Sequence, residues 1–177
     1  MERPSDTDLL YAWRKGSTEA GERLCTRYYD AVVRFFATKV TEDLSDLVQE
    51  SFKACVEGKD RIDESFRGYL FGAAYRILQR YFRRKYRAPE GELLSCSIRD
   101  LRPGPSTVLR GADEKHQLLS ALQALPLEIQ AALELTYWEE LSSPEIAVAL
   151  DIPASTVRSH LRRGRIMLER TMRGAES

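Results

Sequence analysis

Residues 142–172 read SSPEIAVALDIPASTVRSHLRRGRIMLERTM, and this stretch decides the fold of the C-terminal part of the chain. Ser142 and Glu145 have the spacing of a capping box, and Pro144 fits the first turn of the helix that follows. Pro153 ends that helix, because proline has no backbone N–H to donate and its ring clashes with the preceding turn. The helical pattern resumes directly after the proline. The sequence therefore predicts a helix-turn-helix.

The second helix of this pair has two chemically different faces. Its predicted buried face carries apolar and small residues at helical spacing: Val157, Leu161, Gly164 and Leu168. Its predicted exposed face is polar and basic: Ser155, Arg158, Ser159, Arg162 and Arg163. Such a face suits a recognition helix, since Arg pairs bidentately with guanine in the major groove and Ser or Thr reaches phosphates. The alternative is an ordinary helix pair with solvated arginines, but the short first helix and the proline-containing turn favour DNA binding.

The residue types that bind metals or form disulfides are few and scattered. The chain has 3 cysteines and 2 histidines, and Cys25, Cys55 and Cys96 form no CxxC pair. An odd number of distant cysteines argues against a disulfide framework or a zinc site, so we expect reduced thiols in a cytoplasmic protein. His160 has no ligand type four residues before or after it, so we expect a surface histidine and no metal site.

The rest of the chain shows apolar residues at helical spacing and no alternating strand pattern. Helices are predicted over residues 6–15, 18–40, 43 or 45 to 57, 66–87, 113–124, 126–139, 143–150 and 154–172. Residues 88–111 lack this periodicity and are rich in proline and glycine, which is typical of a linker. The predicted fold is therefore all-α, with two small helical domains, residues 1–88 and 113–177, joined by a flexible linker of residues 89–112.

The formal net charge of zero conceals separate basic and acidic segments. Residues 76–87 contain arginines and a lysine but no acid, whereas residues 118–151 contain acids but no Lys or Arg. Residues 158–173 are mostly basic again. Separate patches suit a protein that touches nucleic acid with some faces and protein with others.

Several functional classes find no support in the sequence. The N-terminus MERPSDTDLL lacks the basic and apolar segments of a signal peptide, and no apolar stretch is long enough to cross a bilayer. There is no Ser/His/Asp arrangement, glycine-rich phosphate loop or metal-ligand cluster. We therefore expect no enzyme activity, no cofactor and no membrane insertion.

Taken together, the two helical halves resemble the extracytoplasmic-function (ECF) group of the sigma-70 family. Residues 124–170, ALPLEIQAALELTYWEELSSPEIAVALDIPASTVRSHLRRGRIMLER, are similar to the family's fourth region. Residues 27–40, RYYDAVVRFFATKV, and 43–57, DLSDLVQESFKACVE, are similar to its second region. The resemblance spans about Glu19 to Met172 and implies a sigma factor that binds core RNA polymerase and directs promoter-specific transcription initiation. The alternative is a stand-alone helix-turn-helix regulator, which leaves residues 43–57 unexplained.

The resemblance implies that the helix over residues 43–57 docks on the clamp helices of core polymerase. The implied docking residues are Asp46, Leu47, Gln49, Glu50 and Lys53. Acidic and amide side chains suit a partner helix that bears arginines, and a solvated acidic face fits the composition equally well. Ser45 stands where the family usually has an acid, so its phosphorylation is a candidate switch for core binding. The simpler interpretation is that Ser45 is the N-cap of this helix.

The helix over residues 66–87 resembles the family's promoter-melting element. The implied contacts with the −10 element are Phe66, Arg67, Tyr69, Tyr75, Arg76, Arg80, Arg83 and Arg84. Aromatic rings stack on unpaired bases and arginines neutralise phosphates, so together they hold a single strand. Half of the aromatic residues are expected in the core instead, among them Phe71 and Tyr81, which share the spacing of the apolar residues. The loop over residues 58–65 resembles the loop that captures an extruded base.

In the C-terminal domain the resemblance assigns recognition of the −35 element to the second helix of the helix-turn-helix. Arg158, Ser159 and Arg163 read bases in this assignment, with Ser155, Thr156 and Arg162 nearer the phosphates and His160 in place of a usual Arg or Lys. In the melting helix Tyr69 replaces a usual Trp, and Arg76 and Arg80 replace a usual Asn and Asp. The −10 sequence preference therefore cannot be taken from the family.

The resemblance also implies further partners. The linker resembles the segment that threads the polymerase channel, and the acidic, apolar stretch before the recognition helix resembles the part that docks on the polymerase flap. Members of the family are commonly held inactive by an anti-sigma factor, often a membrane-bound one. An anti-sigma factor is therefore an expected partner beside core polymerase and promoter DNA.

Overall fold

The computed structural model describes residues 3–63, 65–87, 95–101 and 114–175. Its α-helices are α1 Asp6–Arg14, α2 Thr18–Ala37, α3 Leu44–Gly58, α4 Phe66–Tyr86, α5 Ile98–Leu101, α6 Glu114–Gln123, α7 Leu127–Tyr137, α8 Ser143–Leu150 and α9 Ala154–Ala175. One turn of 3-10 helix, Lys59–Arg61, follows α3. No β-strand forms within the described ranges, and the predicted all-α class is confirmed.

The chain divides into two compact units, residues 1–78 and 79–177, and the division falls within α4. The first unit contains α1, α2, α3 and the start of α4. The second contains the end of α4 and α5 to α9. The predicted linker residues 88–94 and 102–112 lie outside the described residues, so the domain boundaries drawn from the sequence stay predictions.

Serine caps set the start of the first two helices. The hydroxyl of Ser5 accepts a hydrogen bond from the backbone N–H of Asp8 at 3.2 Å, and the Asp8 carboxylate accepts one from the N–H of Ser5 at 3.1 Å. The hydroxyl of Ser17 likewise accepts from the N–H of Ala20 at 3.2 Å. Because a helix start leaves its first N–H groups without partners, these caps determine where α1 and α2 begin.

The first unit buries aromatic and aliphatic side chains from all of its helices. Its core includes Leu24, Val32, Phe35, Phe36, Leu47, Val48, Cys55, Leu70, Phe71 and Ala74. Phe35 of α2 meets Phe71 of α4 edge to face, with ring centroids 5.8 Å apart. α1 packs closely on α2 at Gly21, where a Cβ would overlap the indole of Trp13. The predicted core position of Phe71 is confirmed.

A buried lysine closes the end of α2. The Lys39 ammonium donates hydrogen bonds to the carbonyl of Phe35 at 2.7 Å and to the hydroxyl of Thr38 at 2.9 Å, and it lies 4.0 Å from the Phe35 ring centroid. A cation is favourable there because the last carbonyls of a helix carry partial negative charge. The helix ends at Ala37 rather than at residue 40, where the apolar pattern predicted its end.

In the second unit α7 is the most enclosed helix, with buried side chains along nearly its whole length. The core cluster of this unit consists of four buried residues: Leu122, Leu125, Ile129 and Leu133. The partly buried side chains that pack against this cluster are Trp138, Leu161, Met167 and Leu168. Val157 and Gly164 of α9 are buried as well, so the predicted inward face of the second helix is confirmed.

Residues 95–101, which the sequence assigns to the linker, pack within the second unit. Ile98 and Leu101 of α5 are buried. The backbone N–H of Leu127 donates to the carbonyl of Cys96 at 2.9 Å, which ties the segment to the start of α7. The linker prediction is therefore revised for this segment, because two apolar residues at helical spacing find a surface to bury them.

A further serine cap orders this short helix. The Asp100 carboxylate accepts hydrogen bonds from the hydroxyl of Ser97 at 2.7 Å and from its N–H at 3.1 Å. These bonds hold the pKa of Asp100 below its usual value. The guanidinium of Arg99 donates to the carbonyl of Ser120 at 3.0 Å. The Ser-x-x-Asp spacing is a sequence signal for this helix, and the linker prediction did not use it.

Candidate polymerase-docking and DNA-binding surfaces

The helix-turn-helix begins and turns where the sequence predicts. The hydroxyl of Ser142 accepts from the N–H of Glu145 at 3.4 Å, and the Glu145 carboxylate accepts from the N–H of Ser142 at 2.8 Å. Asp151 ends α8 in the left-handed conformation, with φ 55° and ψ 47°. The second helix of the pair, α9, then starts directly after Pro153. The predicted helix pair and its sharp turn are confirmed.

Between Ser155 and Arg163 the exposed face of α9 is polar and basic. Each side chain predicted for this face is solvent-exposed: Ser155, Arg158, Ser159, Arg162 and Arg163. Thr156 is half-buried. A helix rises 1.5 Å per residue, so Ser155 and Arg163 are separated by about 12 Å along the axis. That length spans a few base pairs of duplex at about 3.4 Å each, which suits a helix in the major groove.

His160 does not lie on this exposed face. It is 9% exposed, and its Nε2 lies 3.0 Å from Oε2 of Glu128 in α7. The surface interpretation of His160 is therefore wrong, and its burial argues against a direct contact with the −35 element. Its spacing from Val157 and Gly164 places all three on the inward side of α9, and that spacing was the available sequence signal.

The predicted docking residues on α3 are mostly accessible. Asp46, Gln49, Glu50 and Lys53 are all exposed. Leu47 is only 4% exposed and belongs to the core of the first unit, so it is removed from the candidate docking surface. Lys53 approaches Glu57 at 3.9 Å, and both side chains are well exposed, so this ion pair contributes little stability.

Beside these polar residues the first unit exposes apolar groups that sequence analysis did not select. Tyr29 of α2 stacks on Phe52 of α3, with centroids 6.2 Å apart and ring planes at 14°. Val56 follows one turn after Phe52 and is 52% exposed. We call Tyr29, Phe52 and Val56 the apolar docking patch. Helical spacing puts Gln49 and Lys53 next to it, and an exposed apolar patch rimmed by polar residues is typical of a protein-binding surface.

Ser45 lies in the first turn of α3 rather than at its N-cap. The N-cap is Asp43, whose backbone has φ 59° and whose side chain makes no capping hydrogen bond. The N-cap interpretation of Ser45 is therefore wrong, and its side chain is exposed. Negative charge is favourable near a helix N-terminus. Phosphorylation of Ser45 stays a prediction.

Two aromatic residues assigned to promoter melting are part of the protein core. Phe66 and Tyr75 are each 2% exposed. Phe66 contacts the rings of Trp13 and Tyr28, with centroid distances of 6.4 Å and 5.7 Å. A ring enclosed in this way cannot stack on a base without local unfolding. The burial therefore favours the core interpretation for both residues.

Tyr69 is the remaining candidate for stacking among the aromatic residues assigned to promoter melting. Its side chain is half-buried, and its hydroxyl end lies against Gly58 at the end of α3, where a Cβ would overlap it. Ile62 is buried in the following loop, and residue 64 lies outside the described residues. Capture of an extruded base by residues 58–65 therefore stays a prediction.

The exposed side of α4 is a basic stripe. Arg76, Arg80 and Arg84 are exposed at four-residue spacing, and Arg67 and Arg83 are half-buried. Successive members of the exposed series are separated by about 6 Å along the helix axis. The stripe supports the predicted phosphate contacts better than the predicted base contacts, because its exposed side chains are arginines and the rings of Phe66 and Tyr75 are buried.

Burial raises the pKa of two cysteine thiols in the first unit. Burial and the neighbouring Cys25 raise the pKa of the Cys55 thiol to about 12, and burial also raises the pKa of Cys25. Protonated thiols are poor nucleophiles and poor metal ligands. No cluster of three metal-ligating side chains and no helix able to cross a membrane is found in the part of the chain that the structure describes.

Sequence comparison assigns both halves of the chain. The family model described as "ECF sigma factor" matches residues 5–94, and the model described as "Sigma-70, region 4" matches residues 115–168. The chain belongs to the ECF sigma factor family. The two matches follow each other along this sigma factor in the order that the sequence motifs indicated, so the family resemblance is confirmed.

Similar proteins carry the same functional description. An ECF RNA polymerase sigma-E factor from Haemophilus influenzae is 30% identical over 185 residues, which cover 95% of this chain and 95% of that relative. The RNA polymerase sigma factor HrpL from Pseudomonas syringae pv. syringae is 27% identical over 164 residues, which cover 88% and 89% of the two chains. The function of this chain is that of an RNA polymerase sigma factor.

Two solved structures share the fold. CnrH in complex with the cytosolic domain of CnrY has a TM-score of 0.69 and 20% identity, covering 96% of this chain and 97% of that one. The sigma factor RpoE in complex with the anti-sigma factor NepR from Bartonella quintana has a TM-score of 0.64 and 16% identity, covering 86% and 96%. At these identities the similarity supports the fold alone.

Proposed function

We propose that this sigma factor binds core RNA polymerase through α3 and promoter DNA through α4 and α9, and thereby directs promoter-specific initiation. One observation carries the proposal: between Ser155 and Arg163 every exposed side chain of α9 is polar or basic, while the other side of the helix is buried at Val157, His160 and Gly164. The chain contributes binding energy, and the polymerase catalyses RNA synthesis. It acts where the polymerase acts, in the cytoplasm.

The proposed −35 contacts follow from the exposed face of α9. Arg158, Ser159 and Arg163 read base edges, and Ser155, Thr156 and Arg162 contact phosphates. All of these side chains are exposed except Thr156, which is half-buried, and this exposure supports the assignment. Between residues 154 and 168 the chain contains no acid, so the helix approaches the phosphate backbone without repulsion.

The proposed −10 contacts rely mainly on charge. Arg67, Arg76, Arg80, Arg83 and Arg84 neutralise phosphates of the opened strand, and Tyr69 is the aromatic candidate for base stacking. The burial of Phe66 and Tyr75 supports this division of roles. Contacts to phosphates do not distinguish bases, so α4 stabilises open DNA with little sequence preference of its own.

The proposed polymerase contact combines the polar residues of α3 with the apolar docking patch. Asp46, Gln49, Glu50 and Lys53 provide charge complementarity, which steers association, and the exposed rings provide buried area once docked. The presence of both features on adjacent surfaces of one unit supports the assignment.

An anti-sigma factor is the proposed regulatory partner. The similar fold of RpoE occurs in a complex with the anti-sigma factor NepR, and that of CnrH in a complex with the cytosolic domain of CnrY. These complexes support the expectation that this sigma factor has a protein partner that competes with core polymerase.

Run-off transcription with purified chain, bacterial core polymerase and genomic fragments tests the proposed function. We expect transcripts from a small set of promoters that core polymerase alone does not select. Val56→Asp should abolish them by placing a charge in the apolar docking patch, and Glu114→Ala is the matched surface control. If the purified chain binds an operator tightly without core and never stimulates transcription, a stand-alone regulator is the better description.

The Ser45 hypothesis has its own test. If phosphorylation restores negative charge needed for docking, Ser45→Glu should increase core binding and transcription relative to the unphosphorylated chain, with Ser45→Ala as control. If the unphosphorylated chain and the Ser45→Glu variant transcribe equally well, the hypothesis is refuted.

A further inference from the structure

A polar pair joins the recognition helix to the start of α7 in a largely enclosed place. The Nε2 of His160 lies 3.0 Å from Oε2 of Glu128, and the two side chains are 11% and 17% exposed. Glu128 stands in the first turn of α7, where the helix dipole favours a carboxylate. A hydrogen bond with little access to water is stronger and more directional than one on the surface.

The same side of α9 holds a second, apolar contact one turn later. A Cβ on Gly164 would stand 2.7 Å from the side chains of both Ile129 and Leu133, so the two helices approach closely at that glycine. Close packing determines the distance between α9 and α7. The hydrogen bond adds a directional constraint on the rotation of α9 about its own axis, because it requires its two atoms to meet.

We propose that His160 is a positioning residue for −35 recognition, and that its hydrogen bond to Glu128 sets the rotation of α9 about its axis. The inference rests on the proposed function of α9. A rotation of 20° would move atoms about 6 Å from the axis by about 2 Å. Functional side chains must be held within about 0.5 Å of their working geometry, so Arg158 and Arg163 depend on that rotation.

The ring atoms of His160 define which substitutions test this role. Its Nδ1 is buried and has no hydrogen-bond partner among the described residues, so Nε2 is the polar link to α7. The tautomer with the proton on Nε2 donates to the carboxylate and leaves no N–H without an acceptor. A glutamine amide reaches the Nε2 position, whereas the shorter asparagine amide reaches only the Nδ1 position. His160→Gln should therefore keep the link, and His160→Asn should lose it.

The experiment measures base discrimination by the holoenzyme formed from the full chain and core polymerase. The wild-type holoenzyme first selects a preferred −35 duplex from a randomised library. Affinities for that duplex and for a scrambled duplex of equal composition are then measured for wild type, His160→Asn, His160→Gln, Glu128→Ala and the double variant, with Glu114→Ala as control. All measurements are made well below the thermal midpoints, so the fraction unfolded is negligible.

We expect His160→Asn and Glu128→Ala each to lower the ratio of the two affinities by about 10-fold, within the usual range of coupling between contacting residues. The double variant should lose no more than either single variant, and His160→Gln should stay near wild type. A general loss of stability would lower both affinities together and leave their ratio unchanged.

Three results would overturn the inference. An unchanged ratio in both single variants would show that the pair has no effect on recognition. Loss of discrimination in His160→Asn and His160→Gln with normal behaviour of Glu128→Ala would mean that His160 contacts DNA itself. A wild-type holoenzyme that prefers no promoter sequence would contradict the proposed function, and this inference with it.

Discussion

The two helices assigned to DNA differ in how their sequences relate to their surfaces. In α9 the arginines and serines predicted to face outward do so, and His160 is the exception. In α4 the arginines are exposed or half-buried, but Phe66 and Tyr75 lie in the core. The sequence predicts that an arginine lies at the surface, because burying an unpaired charge costs several kcal/mol of free energy. An aromatic ring is stable either in a core or against a base, so sequence alone does not distinguish the two roles.

The surfaces of α9 and α4 suit two different kinds of DNA contact. α9 presents a short polar face held against α7 by the close approach at Gly164 and by the His160–Glu128 pair. α4 presents a longer series of positive charges with few accessible rings. The first arrangement suits base readout, which needs exact placement of side chains, whereas the second suits phosphate binding, which tolerates displacement.

The largest expected effect concerns the buried end of α4. Phe66→Ala should lower the free energy of unfolding by about 3–5 kcal/mol, because the ring packs between Trp13 and Tyr28. Urea denaturation followed by circular dichroism measures this change. Tyr69→Ala, at a half-buried position, should cost less. If Phe66→Ala kept full stability but lost promoter opening, Phe66 would be a base-stacking residue and not a core residue.

The next effect concerns the contact that holds α9. Gly164→Val should destabilise the second unit by about 1–3 kcal/mol, because the new side chain collides with Ile129 and Leu133. Gly174→Val is the matched control, since a Cβ at Gly174 meets nothing within 4 Å. Thermal unfolding of the two variants gives the difference. Equal midpoints would show that α9 can shift away from α7.

Loss of one base contact on α9 should affect binding without affecting stability. Arg163→Ala should weaken recognition of the −35 element by about 1–3 kcal/mol, with the loss concentrated at one base position. Arg170→Ala, farther along the same helix, serves as the control. Competition binding with single-base substitutions measures the effect. Unchanged promoter selection by Arg163→Ala would refute the placement of the recognition face.

The smallest effect is expected on the basic stripe of α4. Arg84→Ala should reduce the slope of log affinity against log salt by about 0.7, the contribution of one phosphate of single-stranded DNA. The loss should be the same for different −10 sequences, because phosphates are alike. Filter binding of holoenzyme to open-promoter templates at several salt concentrations measures it. A loss confined to one base sequence would instead indicate that α4 reads bases.

Much of the helical organisation could be predicted locally. The prolines and the capping box in residues 142–153 predicted α8 and the start of α9, and the structure agrees. The C-terminal end of α2 was less accurate, because the side chain of Lys39 bonds to the carbonyl of Phe35, which an apolar pattern does not show. Of the two starts predicted for α3, residues 43 and 45, the structure has its N-cap at Asp43. The helix α5 was missed, since its two apolar residues are stable as a helix only when the second unit covers them.

The sequence by itself determined the all-α class, the helix-turn-helix and the basic faces, because caps, prolines and the cost of burying charge act within a few residues of chain. Only the tertiary structure decided that Leu47, Phe66 and Tyr75 are core residues and that His160 faces Glu128. Burial of such side chains depends on which distant helix packs against them. Which helices pack together is decided only when they assemble, so the local spacing of residues does not predict it.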